Sequence, residues 1–427
     1  MLADILITLP IAGLFVLIAL RCLEGWGLAL PCSPGWEEPT GPQGPSAPSW
    51  KIFSLALALR GGMFLLGLGA VVLQSDQALS LSQAVESLCR WDSLHYKNLA
   101  ELGYSGYMEN GQHLFLVFYP GYVWLLRAVG LVLPHTYAAG IVLSSLCFAG
   151  GCVFLYKLCR LYAGHTVARD ALLLLCFYPF SFFFGEPMTE GLFLLTTGGA
   201  LYSAARGKWL PFALWGLAAC LTRMTGLLVL VPGVWELLRP AQPLARPVGA
   251  SLLRGGKALL RKLPLLLLLP LLGAGAYLLL NFLVDGDPFA FLTHQQHWYQ
   301  GGMWISSVLR YVWKYLCSTW GTANSLALWL PTLALFLLSF ALLLWGALRD
   351  RKTSPGLLAY GFCVVIANYS LSWLLSAGRY LSCAVPLFLL GARFLADKPN
   401  LRRAVLLGEA ALLGICYFAH LSGAQIM

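Results

Sequence analysis

Long apolar runs with few charged residues follow one another along almost the whole chain. Of its 427 residues, 59% are hydrophobic and only 11% are charged, whereas soluble domains carry about 25% charged residues. A chain so poor in charge cannot cover itself with a polar surface, so lipid must be its solvent. Alternating segments of about ten residues, typical of lipid-facing barrels, are absent. Because spanning helices satisfy their own backbone hydrogen bonds, the sequence predicts an all-α polytopic membrane protein.

Apolar segments of spanning length recur from the first residues onward, since a helix crosses a bilayer with about 20 residues. Leu2–Leu20 has no basic residues before it and is long for a signal peptide, so we take it as a spanning helix or an uncleaved anchor. A Pro- and Gly-rich loop follows at Gly25–Trp50. About twelve spanning helices are predicted, at 2–20, 52–73, 138–158, 171–184, 190–205, 210–222, 225–238, 263–284, 326–348, 356–375, 381–396 and 404–421.

Short basic connections between the apolar runs set the predicted topology. The net charge is +10, and the Lys and Arg residues concentrate in these connections, as they do in cytoplasmic loops. No basic patch is interleaved with aromatic residues, which excludes a nucleic-acid-binding role. The connections expected in the cytoplasm are Lys157–Arg169, Arg239–Lys262, Arg349–Lys352 and Lys398–Arg403.

The segment Leu114–Leu133 decides which loops share a side of the membrane. It is apolar enough to span, but a crossing there would place Lys157–Arg169 outside. Its aromatic residues, its proline and Arg127 favour a helix lying along the membrane surface. With that choice, four segments share the extracytoplasmic side, namely Gln74–Leu133, Tyr178–Glu190, Val284–Asn324 and Gly378–Tyr380.

Three parts of the chain are distinguished by these patterns. Residues 1–50 hold the first helix and the Pro- and Gly-rich loop. Residues 51–240 form a predicted catalytic transmembrane module with the first extracytoplasmic loop at 74–133. Residues 241–427 form a C-terminal transmembrane module with a second long loop at 284–324.

The acid Asp92 is the first candidate for chemistry, because it lies in the polar part of the first outer loop. It follows Trp91, an amphipathic residue suited to the headgroup level. His95, three residues on, shares a helical face with it. A carboxylate within hydrogen-bond reach of a substrate hydroxyl would act as a general base. The structural alternative is a solvated acid or a helix N-cap.

Two acids and two arginines near helix ends are further candidates. Glu186 and Glu190 lie in an apolar turn, where acids are costly and usually functional or paired; Glu190 would also suit a helix N-terminus. Arg223 and Arg379 lie at extracytoplasmic helix ends, against the positive-inside trend. An arginine grips phosphate with a bidentate fork, and the alternative for each is snorkelling to the interface.

No metal site or cofactor is predicted. His294 and His297 have a spacing that would suit a metal, but no carboxylate partner with ligand spacing is evident, and an amphipathic interfacial helix explains their segment more simply. The 12 cysteines show no metal-ligand spacing, and most lie in apolar segments as small hydrophobic residues.

Four separated motifs stand out in order along the chain: RWDSLHYKNLAELGY with the following FYPGY, then FYPFSFFFGEPMTEGLFLL, LAACLTRMTGLLVLVP and SAGRYLSCAVPLF. In this combination they resemble the PIG-V mannosyltransferase family and its bacterial relatives. The resemblance is good over Ile52–Leu238 and weaker beyond. The first fifty or so residues, about one helix and one loop, have no counterpart in the animal enzymes.

The resemblance implies a C-type glycosyltransferase (GT-C) fold with an active site on the outer or luminal face. It also implies a polyprenyl-phosphate sugar as the donor, with mannose as the sugar and a lipid-linked or glycan hydroxyl as the acceptor. Asp92 matches the family's catalytic acid. The implied reaction is an inverting displacement with Asp92 as base, and the phosphate leaves already ionised, so no general acid is needed.

The same resemblance implies the binding residues. Arg379 first and Arg223 second are expected to stabilise the departing phosphate. The surface helix at Leu114–Leu133 is expected to hold the lipid chain near the bilayer edge. Further substrate-binding residues are expected at Trp91, His95, Tyr119, Glu186, Glu190 and Tyr380.

Two other functions stay open at this point. A transporter or lipid flippase would show internal repeats and charged or broken helices at the membrane midplane, whereas no repeat is visible here and the ionisable residues lie at helix ends. A non-catalytic scaffold would tolerate changes of the outer-face acids. The bacterial-type loops favour a bacterial plasma membrane and a shorter polyprenyl carrier; in a eukaryote the compartment would be the endoplasmic reticulum.

Overall fold

The computed structural model describes residues 2–29, 35–38, 41, 44, 46–75, 78–322, 325–424 and 426, and within them the chain is helical, without strands. The undescribed residues fall in the predicted Gly25–Trp50 loop, in the two long outer loops and at the chain ends. The α-helices of the described residues are α1 (Leu2–Gly25), α2 (Ser49–Gln74), α3 (Leu81–Glu86), α4 (Asp92–Leu102), α5 (Pro120–Gly130), α6 (Thr136–Tyr162), α7 (His165–Phe177), α8 (Glu190–Ala205), α9 (Trp209–Thr222), α10 (Leu230–Leu238), α11 (Val248–Leu263), α12 (Leu269–Asp285), α13 (Ala290–Gln295), α14 (Ile305–Ser318), α15 (Leu330–Leu348), α16 (Pro355–Asn368), α17 (Ala377–Leu381), α18 (Val385–Leu395) and α19 (Pro399–Leu421).

Seven helical segments of the described chain are long and apolar enough to cross a membrane. They are Asp4–Gly25, Ser49–Gln74, Thr136–Tyr162, Met224–Ala241, Val248–Asp285, Ser325–Leu348 and Pro399–Leu421. Three shorter apolar helices are Trp209–Thr222, Pro355–Asn368 and Val385–Leu395. By length and composition, this is the architecture of a polytopic membrane protein, as the sequence predicts. The segment Leu114–Leu133 is not among the spans; it forms a 3₁₀ turn at Leu114–Val117 and the short helix α5.

Small residues bring the central helices α6 and α8 close together. A Cβ added at Gly191 would lie 2.5 Å from the Ser144 carbonyl oxygen of α6. A Cβ at Gly151 would lie 2.7 Å from the Leu194 side chain. Helices in lipid associate through such close backbone contacts. This packing fixes the first turn of α8, which begins with the fully buried Glu190.

Helix α7 ends earlier than the predicted segment 171–184, because Pro179 lies two residues beyond its last residue, Phe177. Proline disfavours helical conformation in the residue before it and lacks an N–H. The following residues form a 3₁₀ turn at Ser181–Gly185, which leads into the start of α8. The acids Glu186 and Glu190 therefore lie on a turn and a helix start.

The basic connection Arg239–Lys262 is largely helical, and not the loop that its charges predict. Residues Val248–Leu263 form α11, which continues through one π turn at Pro264–Leu268 into α12. Its leucines are largely exposed in the protein and its basic residues include Arg261 and Lys262 in the last turn. The leucines and basic residues of α11 alternate with the spacing of an amphipathic helix. The positions of the charged residues alone do not predict this helix.

The predicted helices 356–375 and 381–396 are both shorter in the structure. Helix α16 ends at Asn368 because the next residues pair with another segment: the Met303 N–H donates to the Ser370 carbonyl at 2.8 Å, and Gly302 bridges to Leu371. The short helix α17 follows as a separate element between α16 and α18, and it carries Arg379. The break between α16 and α18 leaves Arg379 buried in the protein interior.

The first helix, α1, is joined to the rest of the protein at both ends. Near its start, Asp4 accepts a hydrogen bond from Ser306 at 2.8 Å and pairs with Arg310 at 3.0 Å, both on α14. Near its end, Arg21 is buried and donates to three carbonyl groups at the end of α15, those of Gly346 (2.9 Å), Ala347 (3.1 Å) and Asp350 (2.8 Å). Helix α1 is therefore part of the packed fold.

Candidate active site

A tight turn places Asp92 at the first residue of α4. The Ser93 hydroxyl accepts a hydrogen bond from the Arg90 N–H at 3.0 Å and donates to the Arg90 carbonyl. Between them Trp91 has φ 52° and ψ −130°, a conformation that is strained for a bulky residue. Arg90 is anchored in turn, since its Nη2 donates to the Leu421 carbonyl of α19 at 2.7 Å.

Asp92 begins a chain of ion pairs that joins four segments of the protein. Its Oδ2 lies 2.7 Å from Nη2 of Arg379. The Nε of Arg379 lies 2.6 Å from Oε1 of Glu190, and Arg223 Nη2 binds the same oxygen. Arg223 Nε also donates to the Thr189 hydroxyl at 2.8 Å. The structure thus brings together four ionisable residues that the sequence nominates separately.

The four side chains of this cluster differ in their access to solvent. The Glu190 side chain is 0% exposed and that of Arg379 is 4% exposed, whereas the Asp92 side chain is 30% exposed. Burial lowers the pKa of Arg379, but the charges of Glu190 and Asp92 outweigh this and hold it well above its usual value. Arg379 is therefore a permanent cation, and Asp92 is the acid within reach of a ligand.

The cluster opens into a cavity of about 270 Å³. Three of the cluster's residues, Asp92, Arg223 and Arg379, line it directly. Its other walls are mostly aromatic or amide side chains, Tyr96, Phe118, Tyr119, Phe193, Trp298, Tyr380, Gln295, Gln300 and Asn368. Apolar and aromatic walls with a few placed polar groups are typical of small-molecule sites.

Tyr119 and Tyr380, two of the sequence-nominated residues, lie in these walls. Tyr119 stacks on Tyr277 of α12 with the ring centres 3.8 Å apart. The Tyr380 ring centre lies 5.2 Å from the Arg223 guanidinium carbon and 5.6 Å from that of Arg379. A ring face at this range attracts the cations and helps to hold both arginines at the cavity.

Asn368 is a cavity residue that the sequence analysis misses. It is the last residue of α16, and its side-chain Nδ2 donates to the Ala377 carbonyl at 3.1 Å. A polar side chain inside an otherwise apolar helix, PGLLAYGFCVVIAN, is the signal that could have identified it. The sequence predicts a helix that continues to residue 375, so it does not indicate that Asn368 lies at a helix end beside a cavity.

The loop between α12 and α14 covers one side of the cavity with Gln295, Trp298 and Gln300. It is held down by backbone pairing, since the Ser372 N–H donates to the Gly301 carbonyl at 2.9 Å. The Ser372 hydroxyl also donates to the Tyr299 carbonyl at 2.7 Å. The second extracytoplasmic loop of the sequence prediction thus contributes to the same cavity as the first.

Trp91 and His95 do not line the cavity, although both are close to Asp92 in sequence. The His95 ring stacks on Phe115 at 4.6 Å, and its Nδ1 lies 3.0 Å from the Tyr107 hydroxyl. Burial lowers the pKa of His95, against the opposing charge of Asp92. The imidazole packs as an aromatic ring against Phe115.

Glu186 lies in a separate small cavity of about 20 Å³, together with Arg60 and Tyr417. Its Oε2 accepts a hydrogen bond from the Tyr137 hydroxyl at 2.9 Å. Burial raises the pKa of Glu186 to about 7, against the lowering effects of the Tyr137 hydrogen bond and the Arg90 charge. The sequence groups Glu186 with Glu190, and the structure separates them.

A histidine–aspartate–histidine group lies in another open cavity, of about 410 Å³. Asp285 Oδ1 lies 2.7 Å from His113 Nδ1, and Asp285 Oδ2 lies 2.6 Å from His294 Nε2. His297 also lines this cavity. The sequence indicates no carboxylate partner for His294, whereas in the structure Asp285, the last residue of α12, pairs with it. Among the described residues, no group of three or more His, Cys, Asp or Glu side chains is placed to hold a metal ion.

Comparisons with known proteins give a likeness to solved structures. No protein-family model matches the chain, and no curated protein sequence matches it. The archaeal oligosaccharyltransferase AglB from Archaeoglobus fulgidus, in complex with an inhibitory peptide and a dolichol-phosphate, aligns over 88% of this chain and 55% of its own, with 13% identity and a TM-score of 0.46. The Archaeoglobus fulgidus oligosaccharyltransferase in complex with Zn and sulfate aligns over 88% and 52%, with 14% identity and a TM-score of 0.44. The chain therefore spans about half the length of these solved chains.

Proposed function

We propose that the chain is a membrane glycosyltransferase of the GT-C fold. It moves a sugar, mannose by the resemblance to the PIG-V family, from a polyprenyl-phosphate donor to an acceptor hydroxyl at the extracytoplasmic face. The observation that supports this best is the ion pair of 2.7 Å between Asp92 and Arg379 at the wall of an aromatic cavity. The pair supports the proposal because a carboxylate can accept a proton and an arginine can bind a phosphate.

Asp92, and not Glu190, is the general base of this proposal. Its side chain is 30% exposed and lines the cavity, whereas that of Glu190 is 0% exposed and holds two arginines. As the acceptor oxygen bonds to the anomeric carbon, Asp92 takes the hydroxyl proton and the bond from that carbon to the phosphate oxygen breaks. Attack from the face opposite the phosphate inverts the anomeric centre.

Arg379 and Arg223 bind the donor phosphate as it leaves. Both line the cavity beside Asp92, and fixed cations aimed at a developing negative charge stabilise the transition state. Glu190 is a positioning residue, because its carboxylate ties both guanidinium groups in place. In this proposal the rings of Tyr119 and Tyr380, which line the cavity, bind the sugar, whereas Trp91, His95 and Glu186 do not line it.

We predict that Asp92→Asn abolishes transfer and leaves the fold intact. The amide keeps the size of the carboxylate and cannot accept the proton, and losing a general base lowers rates by about 10²- to 10⁴-fold. The measurement is the transfer of radiolabelled mannose from polyprenyl-phosphate mannose to a host lipid extract by purified protein. The labelled product identifies the acceptor.

Glu101→Gln is the matched control, because Glu101 is an exposed acid on the same helix, α4, away from the cavity. It is expected to transfer label at the wild-type rate. Full transfer by the Asp92→Asn protein would overturn the assignment of the base. Movement of labelled lipid across proteoliposomes, with no new product from any lipid-linked sugar, would overturn the transferase itself in favour of a flippase.

A further inference from the structure

The side-chain oxygen of Asn368 is an unmatched acceptor in the proposed site. The residue is 5% exposed and lines the cavity. Its Nδ2 donates to the Ala377 carbonyl at 3.1 Å, which fixes the orientation of the amide. Its Oδ1 is buried and has no hydrogen-bond partner among the described residues. Buried polar atoms are nearly always paired, so an exception needs an explanation.

A second buried asparagine shows how an asparagine with a structural role is satisfied. Asn281 of α12 is also buried, and its Nδ2 donates to the Tyr277 carbonyl at 2.9 Å. Its Oδ1, unlike that of Asn368, accepts a hydrogen bond from the Phe291 N–H at 3.0 Å. In both residues the side-chain Nδ2 donates to a backbone carbonyl. The Oδ1 of Asn281 accepts a hydrogen bond, whereas the Oδ1 of Asn368 has no partner among the described residues. Because Asn368 lines the cavity, a ligand bound there is the candidate source of the missing donor.

The position of Asn368 indicates which part of a ligand supplies that donor. The Asn368 amide is hydrogen-bonded to the carbonyl of Ala377, two residues before Arg379. Asn368 therefore lies next to α17, the short helix that carries the proposed phosphate-binding cation. Aromatic rings of Tyr119 and Tyr380 share the cavity. The chemical group attached to a bound donor phosphate is the sugar ring, and its hydroxyls are the nearest donors.

We infer that Asn368 Oδ1 accepts a hydrogen bond from one hydroxyl of the transferred sugar. Asn368 is then a specificity-determining residue for a polyhydroxylated ring, and it selects against sugars that lack that hydroxyl. A site built to bind a substrate hydroxyl rejects the analogue without it, because its own polar group is left unpaired. This inference rests on the proposed transferase activity.

The test compares polyprenyl-phosphate mannose with its singly deoxygenated analogues, using wild-type protein and Asn368→Leu. With the wild type, one analogue is expected to lose about tenfold in kcat/KM, the value of one hydrogen bond. Asn368→Leu is expected to lose about as much on the parent donor and to show no further loss on that analogue. If every analogue loses the same factor with both proteins, the inference is wrong.

Asn281→Leu is the matched control, since it removes a satisfied amide outside the cavity. It is expected to lower thermal stability and to keep the wild-type ratio of parent to deoxy kcat/KM. The wild-type deoxy series needs no variant, so a poorly folded Asn368→Leu protein does not prevent the test. Wild-type transfer without sensitivity to any deoxygenation overturns this inference alone. No wild-type transfer from any lipid-linked sugar overturns the proposed function with it.

Discussion

At the scale of single residues, Glu190 explains how a membrane protein holds two arginines at one cavity. Its Oε1 accepts from both Arg379 and Arg223, and the side chain is fully buried. Buried charges are stable only when they are paired. Glu190 and Asp92 together balance the two arginines. During the proposed reaction Asp92 gains a proton while the phosphate gains a negative charge, so the total charge of the site stays constant.

Glu186 gives a prediction for the dependence of stability on pH. Burial raises its pKa from 4.5 to about 7 in the folded protein. Because the folded state then binds the proton more tightly than the unfolded state, the stability it contributes is present below about pH 4.5 and is lost as the pH rises through about 7. We expect Glu186→Gln, which stays neutral, to be more stable than the wild type at about pH 8.

The measurement for Glu186 is the thermal unfolding midpoint of both proteins in detergent at about pH 5 and about pH 8. The difference between the two proteins is expected to be small at the lower pH and to favour Glu186→Gln at the higher one. A difference of the same size at both values would show that the carboxyl does not titrate in this range.

The chemistry of the side chains identifies the candidate site residues in the sequence, but it does not predict which of them pair with one another. Acids and arginines stand out in a chain with 11% charged residues, and Asp92, Glu190, Arg223 and Arg379 were all nominated in this way. Glu186 and Glu190 were grouped because they are four residues apart. The turn between them separates their side chains: Glu186 lines a small cavity and accepts a hydrogen bond from Tyr137, whereas Glu190 is fully buried and pairs with Arg379. No spacing argument predicts this separation.

At the scale of elements, the short helix α17 depends on a close contact with an aromatic ring. A Cβ at Gly378, next to Arg379, would overlap the ring of Phe180. The Gly378 carbonyl also accepts a hydrogen bond from the Tyr178 hydroxyl at 3.0 Å. The turn after α7 therefore sets the position of α17, and with it the position of Arg379.

We predict that Gly378→Ala lowers the transfer rate by about 100-fold, because α17 must move away from Phe180 and a displacement of about 1 Å in a catalytic group has that effect. The measurement is kcat for mannose transfer, with thermal unfolding to check the fold. Gly275→Ala is the matched control, since a Cβ there meets nothing within 4 Å. Wild-type activity in the Gly378→Ala protein would show that the contact does not position Arg379.

The sequence predicts the bounds of a helix well where the length of an apolar segment alone determines them. The helix expected at 190–205 has those bounds in the structure, and that expected at 52–73 is Ser49–Gln74. The sequence misses elements that end through contacts with distant segments. Helix α16 ends at Asn368 because residues 370–372 pair with residues 301–303. A local pattern holds no information about that pairing.

At the scale of the whole molecule, the candidate site is assembled from distant parts of the chain. Asp92 comes from the start of α4, Glu190 from the start of α8, Arg223 from the residue after α9 and Arg379 from α17. The covering loop is attached to α14, which pairs with α1 through Asp4. The division at residue 240 made from the sequence does not separate the site, since residues on both sides of it meet there.

The contact between Asp92 and Arg379 has a consequence for the order in which substrates bind. In the structure Asp92, the proposed base, is paired with Arg379, the cation proposed to bind the donor phosphate. An acceptor that arrives first finds Asp92 engaged, whereas a donor that arrives first draws Arg379 to its phosphate and frees the carboxylate. We therefore expect compulsory-order kinetics with the donor leading, measured as uncompetitive inhibition against the donor by an acceptor analogue that cannot react. Productive binding of the acceptor in the absence of the donor would contradict this order. The same pairing has a consequence for hydrolysis: until the donor is bound, the Asp92 carboxylate is not free to activate a water molecule.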